Sequence, residues 1–253
     1  MAMPGNRRPE HPFLHRKHAA TSAWNKDMGM GKGYFVTGTD TGVGKTRVTC
    51  ALLHAFAATG KTVVGMKPVA AGCENGMWPD VELLAAASNI SVQREHINPY
   101  ALVPPIAPHI AADRAGIEID LEVIRQAHLE LKKKADIVIV EGAGGFLVPL
   151  NDHEDSVALV QALGLAVLLV VGMRLGCINH ALLTAHAVRA AQIPLAGWVA
   201  NRIDPEMAVF KENVLALEQR LDCPLLGILP YDQNHDARDL SSLLDIARIG
   251  MSS

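Results

Sequence analysis

The stretch "YFVTGTDTGVGKTR", Tyr34 to Arg47, leaves the chain little freedom. An apolar, β-rich run enters a glycine-rich turn, and Gly44, Lys45 and Thr46 then open a stretch that reads as helix. Strand, glycine turn and helix is the order in which backbone N–H groups and a helix N-terminus face an anion. Gly42 and Gly44 let the backbone approach phosphate oxygens, Lys45 reaches the β and γ phosphates, and the Thr46 hydroxyl is placed to ligate Mg²⁺. Gly38 stands six places before Gly44, where the common G-x-x-x-x-G-K-[ST] pattern has five, so this turn is stretched at its start.

From Gly33 onward, short apolar runs alternate with longer helical stretches, the signal of a parallel sheet covered by helices on both faces. Strands are predicted at 34 to 38, 62 to 66, 136 to 142, 165 to 171, 195 to 201 and 225 to 230. Helices are predicted at about 45 to 58, 80 to 88, 120 to 133, 156 to 163, 179 to 191 and 206 to 221. At 253 residues and 49% hydrophobic, the chain supports one substantial core. The expected architecture is a single α/β domain over 33 to 253, a mostly parallel sheet of the P-loop NTPase kind with a lengthened phosphate loop.

In open parallel sheets the ligand crevice lies beyond the carboxyl ends of the strands. There the sequence sets the glycine loop, then Lys67-Pro68, Glu141-Gly142, Arg174 to Asn179, Asn201, and Pro230-Tyr231, one group after each strand. Glu141 closes the apolar run "DIVIV" and would be an unpaired buried charge unless it met a cation, which makes it the first candidate for Mg²⁺. Asp80, before "VELLAAAS", is equally a metal ligand or a helix N-cap on this evidence. Lys67, held between a buried strand and a proline, points to a second cation for charge stabilisation in phosphoryl transfer.

Other classes are disfavoured. A net charge of -3 gives no footprint for nucleic acid or anionic lipid. The longest apolar run, 165 to 171, is far short of the roughly 20 residues that cross a bilayer. Four cysteines without a C-x-x-C pair suggest neither a zinc knuckle nor a disulfide framework and fit a reducing cytoplasm. Residues 1 to 32 carry six Lys/Arg against two acids and no sustained apolar period. This segment is expected to be a disordered extension, an organelle transit peptide or the product of a start codon assigned too far upstream.

Taken together, "VTGTDTGVGKT", "KPVAAG", "NPYALVPPIAPHIAA", "VEGAGGFLVPL", "VVGMRLGCINHALLTA" and "LAGWVAN" resemble the dethiobiotin synthetases, from about Gly33 to about Tyr231 and in family order. The resemblance implies a ligase in which CO₂ adds to an amine of 7,8-diaminononanoate, ATP phosphorylates the carbamate, and the second amine closes a cyclic urea. It also implies roles. Lys45 and Lys67 would be catalytic. Gly42, Val43, Gly44, Lys45, Thr46 and Arg47 would hold the phosphates of ATP together with Glu141, Gly142, Ala143 and Gly144. Asn201, Arg202, Pro230 and Tyr231 would surround the adenine. Thr46, Asp80 and Glu141 would bind Mg²⁺. Thr41 and Ala71 would border the diamine, and Gly176, Cys177, Ile178 and Asn179 would reach its carboxylate from the neighbouring subunit of a homodimer. Gly42, Ala71 and Arg174 depart from residues common in the family, which are Glu, Ser and Lys. A partitioning-type nucleotide-switch ATPase on the same fold is the alternative, although Gly38 to Thr41 lack the extra lysine those proteins carry early in the loop.

Overall fold

The computed structural model describes residues 32–231 and 236–250. The extension expected at the N-terminus lies outside them, apart from Lys32. The chain begins with β1 (Lys32–Gly38) and α1 (Lys45–Ala57), then β2 (Val63–Met66), β3 (Val69–Ala71), α2 (Pro79–Ala87), α3 (Arg94–Ile97), β4 (Tyr100–Leu102) and α4 (Pro108–Ala115). It continues through α5 (Leu121–Lys132), β5 (Ile137–Glu141), α6 (Ser156–Leu163), β6 (Ala166–Met173), α7 (Cys177–Ala190), β7 (Leu195–Arg202), α8 (Phe210–Glu218), β8 (Leu225–Leu229) and α9 (Ala237–Leu240).

Six strands form one parallel sheet in the order β2-β5-β1-β6-β7-β8, so β1 and its phosphate loop sit at the centre. The chain runs from β1 out to β2, returns through β5, and crosses to β6 on the other side. That reversal of strand order creates the crevice a ligand needs. All residues of β2 and β5 are buried, which explains their unbroken apolar runs. Alternation then divides the sheet's two faces. Val138 and Val140 pack with α5 and α6, while Ile137 and Ile139 pack with α1.

The six expected strands are all present. Two further strands, β3 and β4, pair in parallel as a separate small sheet that sequence reasoning did not anticipate. Helices α3, α4 and α9 were also missed. The last long helix is shorter than expected, because Val209 at φ 49° delays its start to Phe210. Conversely α7 begins at Cys177, two residues early, because Gly176 at φ 93° makes the turn into it.

One core group has a consequence for acid stability. His128 on α5 is 2% exposed, and its Nε2 meets no partner among the described residues. Burial, helped by Lys132, lowers its pKa from 6.5 to about 4. Between those values the unfolded chain binds the proton and the folded chain does not. Stability is therefore full above pH 6.5 and falls as pH drops towards 4, by roughly 3 kcal/mol from this group. Urea unfolding at pH 7 and pH 4 should show His128→Leu losing less over that interval by about this amount.

Candidate active site

Register and alternation assemble the site. Met66 pairs with Val140, so Lys67 emerges beside Glu141, one rung beyond the end of β2. Val36 pairs with Glu141, and Glu141 shares a sheet face with Ile137 and Ile139, the face that α1 covers. The first turn of α1 therefore brings Thr46 over the same carboxylate. Glu141 is wholly buried and Lys67 is 4% exposed.

Lys67 Nζ donates to Glu141 Oε1 at 2.5 Å and to the Gly142 carbonyl at 3.3 Å, and pairs with Asp80 Oδ2 at 3.0 Å. Burial pulls the Lys67 pKa down, but the charges of Glu141 and Asp80 and their hydrogen bonds outweigh it, leaving a net rise. Asp80 responds in kind. Burial raises its pKa, and Lys67 with Thr46 brings it below the ordinary value. Thr46 Oγ1 lies 3.0 Å from Asp80 Oδ1 and 2.8 Å from Glu141 Oε1. A hydroxyl has one proton and serves only one of these acceptors at a time. Glu141 Oε2, buried, has no hydrogen-bond partner among the described residues. Three hard oxygen donors, one with an open lone pair, suit a small divalent cation that keeps water or phosphate in its remaining positions. Among the described residues no cluster of three or more His, Cys, Asp or Glu offers a metal site.

Asp80 does not cap its helix. Pro79 takes the first helical position of α2, the N-cap is Trp78 without a side-chain bond, and Asp80 turns its carboxylate to Thr46 and Lys67. The backbone of Lys67 is fixed by a residue to which the sequence assigned no role. Asn98, 6% exposed, donates Nδ2 to the Lys67 carbonyl at 2.7 Å and to the Tyr100 carbonyl at 3.0 Å, while Lys67 N–H bonds to the Ile97 carbonyl at 2.8 Å.

The phosphate loop is braced from both sides. Gly42 and Gly44 hold φ of 74° and 85°, conformations open to glycine. Asn201 Nδ2 donates to the Val43 carbonyl at 2.8 Å from beneath. Asp40 accepts from Thr41 N–H at 2.7 Å and pairs with Arg174 at 2.7 Å, tying the loop to the segment before α7. Lys45 Nζ rests on the Asp40 carbonyl at 3.2 Å. Its pKa is lowered to about 8, first by burial and then by the nearby Lys67 charge, with Glu141 and Asp80 opposing. Phosphate binding favours the ammonium, so nucleotide binding should take up a proton at alkaline pH. The ADP dissociation constant should rise about tenfold from pH 7 to pH 9. Calorimetry in two buffers of different ionisation heat would detect that proton; an affinity flat across this range would refute the assignment.

A cavity of about 750 Å³ joins Thr41, Gly42, Lys45, Thr46, Lys67, Ala71, Asp80, Glu141, Ala143 and Gly144, all expected from sequence. Its other wall is apolar, built from Val69, Ile106, Leu147 and Val148 with Pro105, Pro108 and Pro149. The remaining predicted residues lie outside this lining. Val43 is 1% exposed and Asn201 2%. Arg47 Nη1 donates to the Pro230 carbonyl at 3.1 Å. Arg202 bonds to the Asp204 and Pro205 carbonyls and stacks 5.1 Å over Phe210, while Tyr231 is 43% exposed. Gly176 and Asn179 are exposed, Ile178 is half-buried and Cys177 is buried, with burial pushing the Cys177 thiol up. That shift is the reverse of what a nucleophile needs.

A central parallel strand leading through a glycine loop into a helix, with a lysine, a hydroxyl and two carboxylates at the mouth of a crevice, defines a P-loop nucleotide-binding α/β protein. A family profile described as an AAA domain matches residues 32–238. The ATP-dependent dethiobiotin synthetase BioD of Aromatoleum aromaticum is 52% identical over 217 residues, covering 84% of this chain and 96% of that one. The synthetase of the same name from Xanthomonas oryzae pv. oryzae is 48% identical over 219 residues, covering 85% and 98%. The chain belongs to the dethiobiotin synthetase family. Among solved structures, the septum site-determining protein MinD complexed with Mg-ADP from Pyrococcus horikoshii aligns with a TM-score of 0.53 at 16% identity, covering 88% of this chain and 90% of that one. The MinD cell division protein of Aquifex aeolicus aligns with a TM-score of 0.51 at 19% identity, covering 85% and 86%. At such identities the likeness is one of fold alone.

Proposed function

We propose that the chain converts 7,8-diaminononanoate, CO₂ and ATP into dethiobiotin, ADP and phosphate, with residues 33 to 253 acting as one synthetase domain in the cytoplasm. The carrying observation is a second buried lysine, Lys67, in the wall of the cavity that Lys45 enters. A nucleotide needs only Lys45 and the loop. A further ammonium in the same cavity suits an anionic acceptor of the γ-phosphoryl group, and a carbamate is such an acceptor.

The atoms balance as follows. One substrate amine adds to CO₂ and loses a proton, giving a carbamate. A carbamate oxygen attacks the γ-phosphorus and ADP departs, leaving a carbamic-phosphoric anhydride. The second amine attacks its carbonyl carbon and loses a proton, phosphate leaves with the C–O electron pair, and the urea ring closes. Lys45 and the N–H groups of Gly42 to Arg47 hold the β and γ phosphates, with Gly142 to Gly144 on the far side. Lys67 offsets charge on the carbamate and the transferring group. Thr46, Asp80 and Glu141 would hold Mg²⁺, which when bound neutralises phosphate oxygens. The apolar wall of Val69, Ile106 and Leu147 suits the aliphatic chain of the diamine, bordered by Thr41 and Ala71.

For the base, Asn201 Oδ1 is a buried acceptor without a partner among the described residues, the valence an adenine amino group needs. Arg202, Pro230 and Tyr231 complete that end. The Gly176 to Asn179 segment is absent from its own chain's cavity, which fits service to a second copy. The protein should therefore sediment as a homodimer at assay concentrations, and a fully active monomer would contradict the shared site.

The test is phosphate release from MgATP with diaminononanoate and bicarbonate present, and with each omitted, while the cyclic urea is followed by mass spectrometry. Release should need both and match product one for one. Release indifferent to either would favour a nucleotide-switch ATPase.

A further inference from the structure

At the end of the sheet opposite the phosphate loop lies a second open cavity of about 650 Å³. Tyr34, at the start of β1, and Phe56, in the last turn of α1, form its floor with their rings stacked 5.8 Å apart at 12°. Lys61, Lys132, Lys133 and Lys134 ring the opening. The one carboxylate in the lining, Asp136, accepts from Thr62 N–H at 2.9 Å and from its hydroxyl at 2.8 Å, and those bonds hold its pKa down. Lys133 pairs with Glu130 at 2.5 Å on the rim.

Four lysines stand against two engaged carboxylates, Asp136 in the lining and Glu130 on the rim, in a chain whose net charge is -3. The C-terminal end of α5 favours cations and accounts for Lys132 to Lys134. It does not account for Lys61, which arrives at the same opening from the end of α1, nor for an aromatic pair whose Tyr34 is only half-buried. Burial raises the Tyr34 pKa above 10.0, so the phenol stays a donor. The volume falls within the range of about 300–1,000 Å³ typical of small-molecule sites. Aromatic faces accept heteroaromatic rings while ammonium groups accept phosphate, and the two together are the chemistry a nucleotide presents.

We propose that this cavity binds an aromatic polyanion of the size and chemistry of a mononucleotide, its ring against Tyr34 and Phe56 and its phosphate among the lysines. The site is separate from the phosphate loop, since the 13 residues of α1 set the two apart by about 20 Å.

The test uses the full chain and pyranine, a planar pyrene with three sulfonates, titrated calorimetrically at low salt. One dye per chain is expected. Binding should weaken at least tenfold in Lys61→Ala/Lys134→Ala and in Tyr34→Leu, yet be unchanged in Lys45→Ala. Both lysines are exposed, so the double variant should keep the parent's thermal midpoint. AMP should displace the dye from Lys45→Ala, and citrate should not. Binding that is absent, indifferent to the lysine pair, or lost with Lys45 overturns the site. Citrate displacing the dye as readily as AMP overturns its preference for an aromatic ligand.

Discussion

Lys67→Ala should lower turnover roughly a thousandfold while the ADP dissociation constant stays within about threefold of the parent value. Among the described residues the lysine's hydrogen-bond and ion-pair partners are Glu141, Asp80 and the Gly142 carbonyl, none of them in the phosphate loop. Lys45→Ala should lose both affinity and turnover, since Lys45 rests on the loop itself at the Asp40 carbonyl. Equal loss of nucleotide affinity in the two variants would refute the separate roles.

The same substitution tests the cluster's electrostatics. Without Lys67, the wholly buried Glu141 loses its cation, and an uncompensated buried charge costs about 3–5 kcal/mol. The variant should therefore melt well below the parent in chelator and recover most of the difference in millimolar Mg²⁺, which takes over the same carboxylate. Lys67→Ala/Glu141→Gln should melt higher than Lys67→Ala in chelator, because the orphaned charge is gone, and should gain far less from Mg²⁺. Turnover stays low in both, which separates the stability effect from the chemical one.

The six-stranded sheet and the charged cluster were legible because each leaves a mark of its own in sequence. Buried parallel strands are unbroken apolar runs, and a lysine or glutamate at the end of one has to be explained by a partner. The small sheet left no such mark. Its strands "VAA" and "YAL" are three residues each, too short for a period, and they pair through contacts about 30 residues apart. With that sheet went the grip of Asn98 on Lys67, since an asparagine that fixes a carbonyl resembles any turn residue. Asp80 was ambiguous for a different reason. Caps and metal ligands use the same carboxylate, and the placement of Pro79 at the helix start, which excludes the cap, leaves no mark that sequence alone can read. The adenine end was read on resemblance alone, and there the side chains of Arg47 and Arg202 are engaged with backbone carbonyls.

Gly44→Ala should abolish nucleotide binding while leaving the sheet intact, with ADP affinity falling at least a hundredfold. Two separate costs meet at this residue. Its φ of 85° lies in the left-handed region, where a side chain costs about 1–3 kcal/mol. An added Cβ would also lie 2.2 Å from Asn201 Nδ2, the group that braces the Val43 carbonyl. The loop has to shift, and its N–H groups then no longer converge on one phosphate position. Because the two costs differ in kind, a double-mutant cycle separates them. Asn201→Ala removes the obstructing amide, so Gly44→Ala/Asn201→Ala should regain part of the thermal stability lost in Gly44→Ala, while the backbone strain remains. Gly42→Ala supplies the comparison: its φ is 74°, yet nothing lies within 4 Å of an added Cβ, so it carries strain without collision. The expected order of thermal midpoints is parent, then Gly42→Ala, then Gly44→Ala. A Gly44→Ala protein as stable as Gly42→Ala would mean that Asn201 yields freely, and the bracing of the loop from β7 would then have to be abandoned.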